Sequence, residues 1–159
     1  MIYSMEKRKP LIKIGVDVIP VKKTEVDNYW SLLQLMIMKG LEHNGNLLTE
    51  AQLRQEIKDG YHQLFIIFGS EDGKENALYG VFITRITDHP NGRQCEVTLL
   101  SGKKRELWED QVTLVLQELA LSNHCNRIAV LARPGWKKLG EKWGFKIKNY
   151  EFIKELNHG

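Results

Sequence analysis

Ile12, Ile14, Val16 and Val18 recur at every second position between Pro10 and Pro20. That period predicts a strand with one polar face, and Pro20 is expected to end it. The period then lengthens. Val26, Tyr29, Trp30, Leu33, Met36, Ile37, Gly40 and Leu41 fall on one face of a helix over 26–41. His43-Asn44-Gly45-Asn46 is a turn. Thr49, with Gln52 three residues on, forms a capping box that opens a second helix to about Asp59. Leu53 and Ile57 make its apolar stripe, and Gly60 is expected to stop it.

Three strands are predicted next. Gln63 to Phe68 is strongly apolar, as a central strand is. Ser70 to Asn76 is a polar hairpin loop. Ala77 to Thr87 alternates, with Leu78, Gly80, Phe82, Thr84 and Ile86 expected on one face and Tyr79, Val81 and Ile83 on the other. His89-Pro90-Asn91-Gly92 turns the chain into a strand from Arg93 to Leu100. Glu106 to Ser122 is the longest clear helix, with Leu107, Val112, Val115, Leu116, Leu119 and Ala120 on its apolar side. RIAVLA, 127–132, is a short buried strand of the kind found beside a crossover helix. Pro134 to Trp143 is a short helix with Trp136, Leu139 and Trp143 on one face, and Gly144 fits its C-cap. Phe145 to Leu156 closes the chain as a strand. The order β-α-α-β-β-β-α-β-α-β predicts an α/β protein, a mixed sheet with helices on both faces.

Composition adds bounds. A chain of 159 residues, 42% hydrophobic and 27% charged, fits one globular domain over 1–159, with residues 1–10 as a flexible basic tail. No apolar run is long enough to span a bilayer. MIYSMEKRKP is charged and has no apolar core, so no secretory signal is expected. Cys95 and Cys125 sit on separate elements without metal-ligand spacing, which reads as two reduced, partly buried thiols. The net charge of +3 falls short of a nucleic-acid signature, and no specific nucleic-acid ligand is expected. Lys103-Lys104-Arg105 and Lys137-Lys138 are solvated surface or, more sharply, contacts for the phosphates of a ligand.

The element order, and above all LQELALSNHCNRIAVLARPGWKKLGEKWGF over Leu116 to Phe145, resembles the GNAT superfamily of acetyl-CoA-dependent N-acetyltransferases. The resemblance implies a mainly antiparallel mixed sheet. It implies that the strand from Arg93 splays from its neighbour and offers its edge to the pantetheine arm. The pyrophosphate would then sit on backbone N–H groups where the next helix starts. Carried over to this sequence, the cofactor-binding residues are Leu99, Leu100, Gly102, Lys103, Lys104 and Arg105.

Two departures stand against that implication. The family's Arg/Gln-x-x-Gly-x-Gly/Ala loop is replaced by SGKKRELWED, in which Gly102 is the only glycine. Glu106, Glu109 and Asp110 crowd the first turn, where they suit the helix dipole and oppose a pyrophosphate. In ARPGWKKLGEKWGFK, Leu139, Gly144 and Phe145 match the family's Asn-x-x-Ala-x-x-Leu-Tyr-x-x-x-Gly-Phe, but Gly140 stands where the proton-donating Tyr belongs. Tyr150 is the candidate substitute acid. Glu96 is the candidate general base by its strand position, with Asp88 and His89 at a strand end.

Arg-Pro-Gly-Trp followed by Gly-Phe is most similar to GNAT-like proteins encoded by bacteriophages, some of them internal virion proteins. The favoured expectation is therefore a GNAT-fold protein that is catalytically silent, a structural or interaction component of a phage particle. It would lie in the virion or the host cytoplasm, with protein partners, no cofactor, and Trp136 and Trp143 as packing or interaction anchors. The alternative is an active N-acetyltransferase that uses acetyl-CoA through a divergent loop.

Overall fold

The computed structural model describes residues 14–43, 48–71, 76–130, 142 and 144, without the side chains of Ile14 and Glu71. Strand β1 is Ile14–Val21, and a 3-10 turn at Lys23–Glu25 leads into α1, Val26–His43. Helix α2 is Glu50–Lys58. Strands β2 (Gln63–Glu71), β3 (Ala77–His89) and β4 (Gly92–Gly102) follow, then α3 (Arg105–Ser122) and β5 (Arg127–Val130). The sheet order is β1-β2-β3-β4-β5. The first three pairings are antiparallel and β4 with β5 is parallel. The mixed, mainly antiparallel sheet is the one expected, through β5. The last predicted helix and strand lie outside the described residues, except Lys142 and Gly144. Gly144 has a φ of 84°, the left-handed conformation expected of it at that helix end.

Pro20 does not end β1. The strand runs through it to Val21, with Pro20 opposite Phe65. It is tolerated because β1 is the edge strand of the described sheet, where a missing N–H breaks no interior ladder.

The helices cover opposite faces. Trp30, Leu33 and Ile37 of α1 and Leu53 and Ile57 of α2 pack on Leu64, Ile66, Val81, Ile83 and Leu99. Trp108, Val112 and Leu116 of α3 pack on Phe65, Ile67, Tyr79, Phe82 and Val97 on the other side. There the rings of Phe65 and Phe82 stack with centroids 4.6 Å apart. Each face buries large apolar side chains, which drives the assembly of layers.

The faces of β3 differ from the alternation in the sequence. Ile67 pairs with Gly80, but the next residue, Phe68, pairs with Leu78. Tyr79 is therefore an extra residue, a β-bulge that reverses the inside–outside parity beyond it. Leu78 packs toward α1, whereas Tyr79 and Phe82 share the α3 face. The Tyr79 ring lies over Gly69, where a Cβ would stand 2.2 Å from a ring carbon, so β2 needs a glycine there.

The capping box forms as expected. Thr49 Oγ1 accepts from the Gln52 N–H at 3.1 Å, and the Gln52 side chain accepts from the Thr49 N–H at 2.8 Å. Thr49→Ala is expected to cost about 1 kcal/mol of stability, read by urea unfolding, because α2 loses a cap that no other side chain supplies.

Candidate functional site

A second bulge positions the candidate site. Ile83 pairs with Leu99 and Thr84 with Val97, so Thr98 is the extra residue, on β4. Its hydroxyl donates to the Ile83 carbonyl at 3.3 Å. The parallel ladder joins Gln94–Val97 to Arg127–Val130 and reaches no further among the described residues. The β4 segment from Thr98 to Gly102 thus has no described strand on its β5 side. Among the described residues the outer edge of Leu99 to Gly102 faces no partner strand, and an edge of that kind can pair with an extended ligand. Leu99 contributes only backbone to that edge, because its side chain is 2% exposed and packs on Gly40 of α1.

The edge runs directly into the start of α3. Lys103 N–H donates to the Tyr79 carbonyl at 2.8 Å, and Trp108 Nε1 donates to the Lys103 carbonyl at 2.8 Å. A Cβ on Gly102 would stand 2.5 Å from the Tyr79 carbonyl and 2.8 Å from the Gly80 Cα. The single glycine of the loop thus serves its approach to β3. Lys104 follows in the left-handed conformation, φ 54° and ψ 43°, and its side chain does not cap the helix.

A left-handed residue followed by a helical one turns successive N–H groups toward a common point. The Leu107 N–H donates to the Lys104 carbonyl at 2.9 Å, and the N–H groups before it have no helical carbonyl to reach. A loop with one glycine argues against a backbone cradle here. Lys104 itself adopts the conformation a glycine would supply.

The acidic residues of α3 divide. Glu109 is 8% exposed; it accepts a hydrogen bond from Lys142 Nζ at 2.8 Å and lies 3.5 Å from Arg105 Nε. Its charge is thus balanced by two cations, and it raises the ammonium pKa of Lys142. Glu106 and Asp110 stay exposed.

Lys104→Gly separates the backbone from the side chain. It relieves about 1 kcal/mol of left-handed strain and forfeits about 0.5 kcal/mol from the Lys104–Tyr79 cation–π contact. Stability by thermal unfolding is expected to hold or rise slightly, whereas Lys104→Val is expected to lower it.

Glu96 lies on the α1 face of β4, two residues before the bulge. It sits opposite Arg85, next to where the apolar cover of α1 ends at Ile83 and Leu99. Its side chain is 13% exposed. Oε2 accepts from Arg85 Nε at 2.8 Å. Oε1 accepts from the Thr87 hydroxyl at 2.9 Å and the Gln94 amide at 2.8 Å. Burial pushes the Glu96 carboxyl up, but the hydrogen bonds from Arg85, Thr87 and Gln94 and the charge of Arg85 together hold it below its ordinary value. The group is a carboxylate at neutral pH.

His89 Nε2 is 3.8 Å from Glu96 Oε1, and Asp88 is engaged by Arg93 at 2.9 Å. Of the three candidate bases, Glu96 alone combines near-burial with a place beside the bulge.

Leu99, Leu100, Gly102, Lys103, Lys104 and Arg105 therefore form one continuous run from bulge to helix, with Glu96 just before it. Tyr150, Trp136, Trp143 and Gly140 lie outside the described residues. Thr98 and Trp108 carry the local geometry and were missed in the sequence. A bulge leaves no mark in a run of β-forming residues. Trp108 falls beside Leu107, which fits the helical stripe almost as well. Cys95 and Cys125 are both free and buried, and burial pushes the Cys95 thiol up to about 11, which makes it unreactive.

No protein-family model and no curated protein matches the sequence. Solved structures do match its fold. An aminoglycoside N-acetyltransferase in complex with CoA superposes with a TM-score of 0.60 at 16% identity, covering 91% of this chain and 96% of that one. A glucosamine-6-phosphate N-acetyltransferase from Arabidopsis thaliana gives 0.55 at 14% identity, covering 90% and 99%. A GNAT family acetyltransferase from Staphylococcus aureus gives 0.58 at 13% identity, covering 89% and 99%. At these identities the likeness speaks for the fold alone, and the chain has the fold of the GNAT acetyltransferases.

Proposed function

We propose that this protein is an acetyl-CoA-dependent N-acetyltransferase. The observation that carries the proposal is the continuous path from the Thr98 bulge to the uncapped start of α3, turned by left-handed Lys104. Among the described residues it offers a strand edge without a partner strand and then the first turn of a helix, flanked by Lys103, Lys104 and Arg105. An extended amide-bearing arm that ends in phosphates fits both parts. The aminoglycoside acetyltransferase of the same fold holds CoA.

Acetyl-CoA would supply an activated acetyl group. The chain's residues supply binding and proton handling. An ammonium acceptor must lose a proton before its nitrogen can attack the thioester carbonyl. The C–N bond forms and the C–S bond breaks; of the three protons of a primary ammonium, one is released before attack, one ends on sulfur and one stays on the amide nitrogen. In this reading Glu96 receives the released proton.

The silent-scaffold reading had two grounds. The missing glycines are answered by Lys104. The missing tyrosine matters less than it would for an alkoxide, because a thiol with a pKa of about 8.5 leaves readily as thiolate near neutral pH.

Calorimetric titration with acetyl-CoA tests the proposal. Binding tighter than about 100 μM, or roughly −5.5 kcal/mol, is expected, and it should weaken with added salt. Absence of binding would return the protein to the class of silent scaffolds.

A further inference from the structure

Arg85 faces Glu96 across the β3–β4 pair, where its Nε donates to the carboxylate at 2.8 Å. Among the described residues nothing engages its two terminal nitrogens, and the side chain is 45% exposed. A guanidinium offers five donors in a rigid fork, and the outer edge of this one is open.

Glu96 shows the complementary state. A carboxylate has about four lone-pair sites. Thr87 and Gln94 occupy those on Oε1, and Arg85 takes one on Oε2. The remaining acceptor site is therefore on Oε2, beside the open fork of Arg85. One open acceptor and one pair of open donors lie side by side. They stand at the end of the apolar sheet face and two residues from the Thr98 bulge.

A simple cationic amine fits this site poorly. Brought to Glu96 Oε2, it arrives next to a fixed guanidinium of like charge. An acceptor with an anion close to its nitrogen removes that conflict and occupies the fork as well. We infer that the acceptor is an amine carrying a carboxylate or phosphate a few bonds from its nitrogen, with Glu96 holding the ammonium and Arg85 the anion. This rests on the acetyltransferase reading for its chemistry, but the recognition itself is measurable without acetyl-CoA.

The probes are three pairs that differ by one anionic group: O-phosphoethanolamine and ethanolamine, lysine and cadaverine, phenylalanine and phenethylamine. Each is titrated calorimetrically into the wild type and into Arg85→Gln, whose exposed position leaves the packed faces intact. The anionic member of at least one pair is expected to bind about tenfold or more tightly. The phosphate pair and the carboxylate pairs show which anion is preferred. Arg85→Gln should abolish that gap, and Arg85→Lys should restore only part of it.

Equal binding within every pair, including no binding by any probe, overturns the inference. So does a gap that survives in Arg85→Gln. Acetyl-CoA is titrated in parallel. Its failure to bind sinks the transferase reading and leaves the anion gap to be judged on its own.

Discussion

Trp108→Ala is expected to destabilise the protein by about 3–5 kcal/mol and to abolish acetyl-CoA binding. The indole is 1% exposed and sits in the core under α3, so truncation leaves a cavity that its neighbours Val97 and Val112 cannot fill. It also removes the Nε1 hydrogen bond to the Lys103 carbonyl. That carbonyl belongs to the residue whose N–H is tied to Tyr79, so the loop is held at both ends of one peptide-bearing residue. Trp108→Phe separates the two roles. It keeps most of the volume and loses the bond. It should cost less in urea unfolding while still loosening the loop, so that acetyl-CoA affinity falls out of proportion to stability. Equal loss in both readouts would show that the indole acts through packing alone.

Glu96→Gln is expected to lower the acetyl-transfer rate by about 10²–10⁴-fold, measured as kcat/KM with a saturating donor. The amide cannot take a proton from the acceptor, and it leaves Arg85 without its counter-charge. The pH dependence follows from the direction of the Glu96 shift. Its folded pKa lies below the ordinary value of 4.5, so the group is ionised throughout the range from pH 5 to 9. Glu96 should therefore contribute no acid limb there, and the rise of the wild-type rate with pH should follow the acceptor's own ammonium.

The same sign governs stability. The ion pair contributes above pH 4.5 and is lost as pH falls through the lower folded value. Glu96→Gln should flatten that part of the acid-unfolding curve. An acid limb near pH 6–7 that disappears in Glu96→Gln would contradict the direction of the shift.

Much of the architecture was legible because it rests on repetition. The face of α1 was readable from Val26, Trp30, Leu33 and Ile37 at helical spacing, and all four are buried. The start of α2 was readable from a capping box whose two bonds both form. The strand β2 needed only its unbroken apolar run, since it is covered by helices on both faces. What escaped was the single-residue event. Tyr79 and Thr98 are ordinary strand residues, and nothing in their side chains announces that they are extra.

The site was half legible for the same reason. Glu96 and the Leu99–Arg105 run follow from strand order, but the left-handed turn at Lys104 has no compositional sign. A lysine there reads as a missing glycine. Lys103 N–H on Tyr79, Gly102 against Gly80 and the bulge all bear on where Lys104 must turn, and these are long-range contacts.

The two bulges also say how this sequence can and cannot drift. Each marks a place where one residue can be lost without turning the rest of the strand over. Losing Tyr79 itself would keep Ile67 opposite Gly80 and Phe68 opposite Leu78 in plain alternation. Losing Thr98 would likewise keep Thr84 opposite Val97 and Ile83 opposite Leu99, with Val97 and Leu99 still on their own layers. Side-chain changes along β3 and β4 can accumulate one at a time, whereas a one-residue loss elsewhere within either strand would carry part of its apolar set to the wrong face. Homologues of this chain should therefore diverge widely in identity across these strands while changing strand length at Tyr79 and Thr98 first.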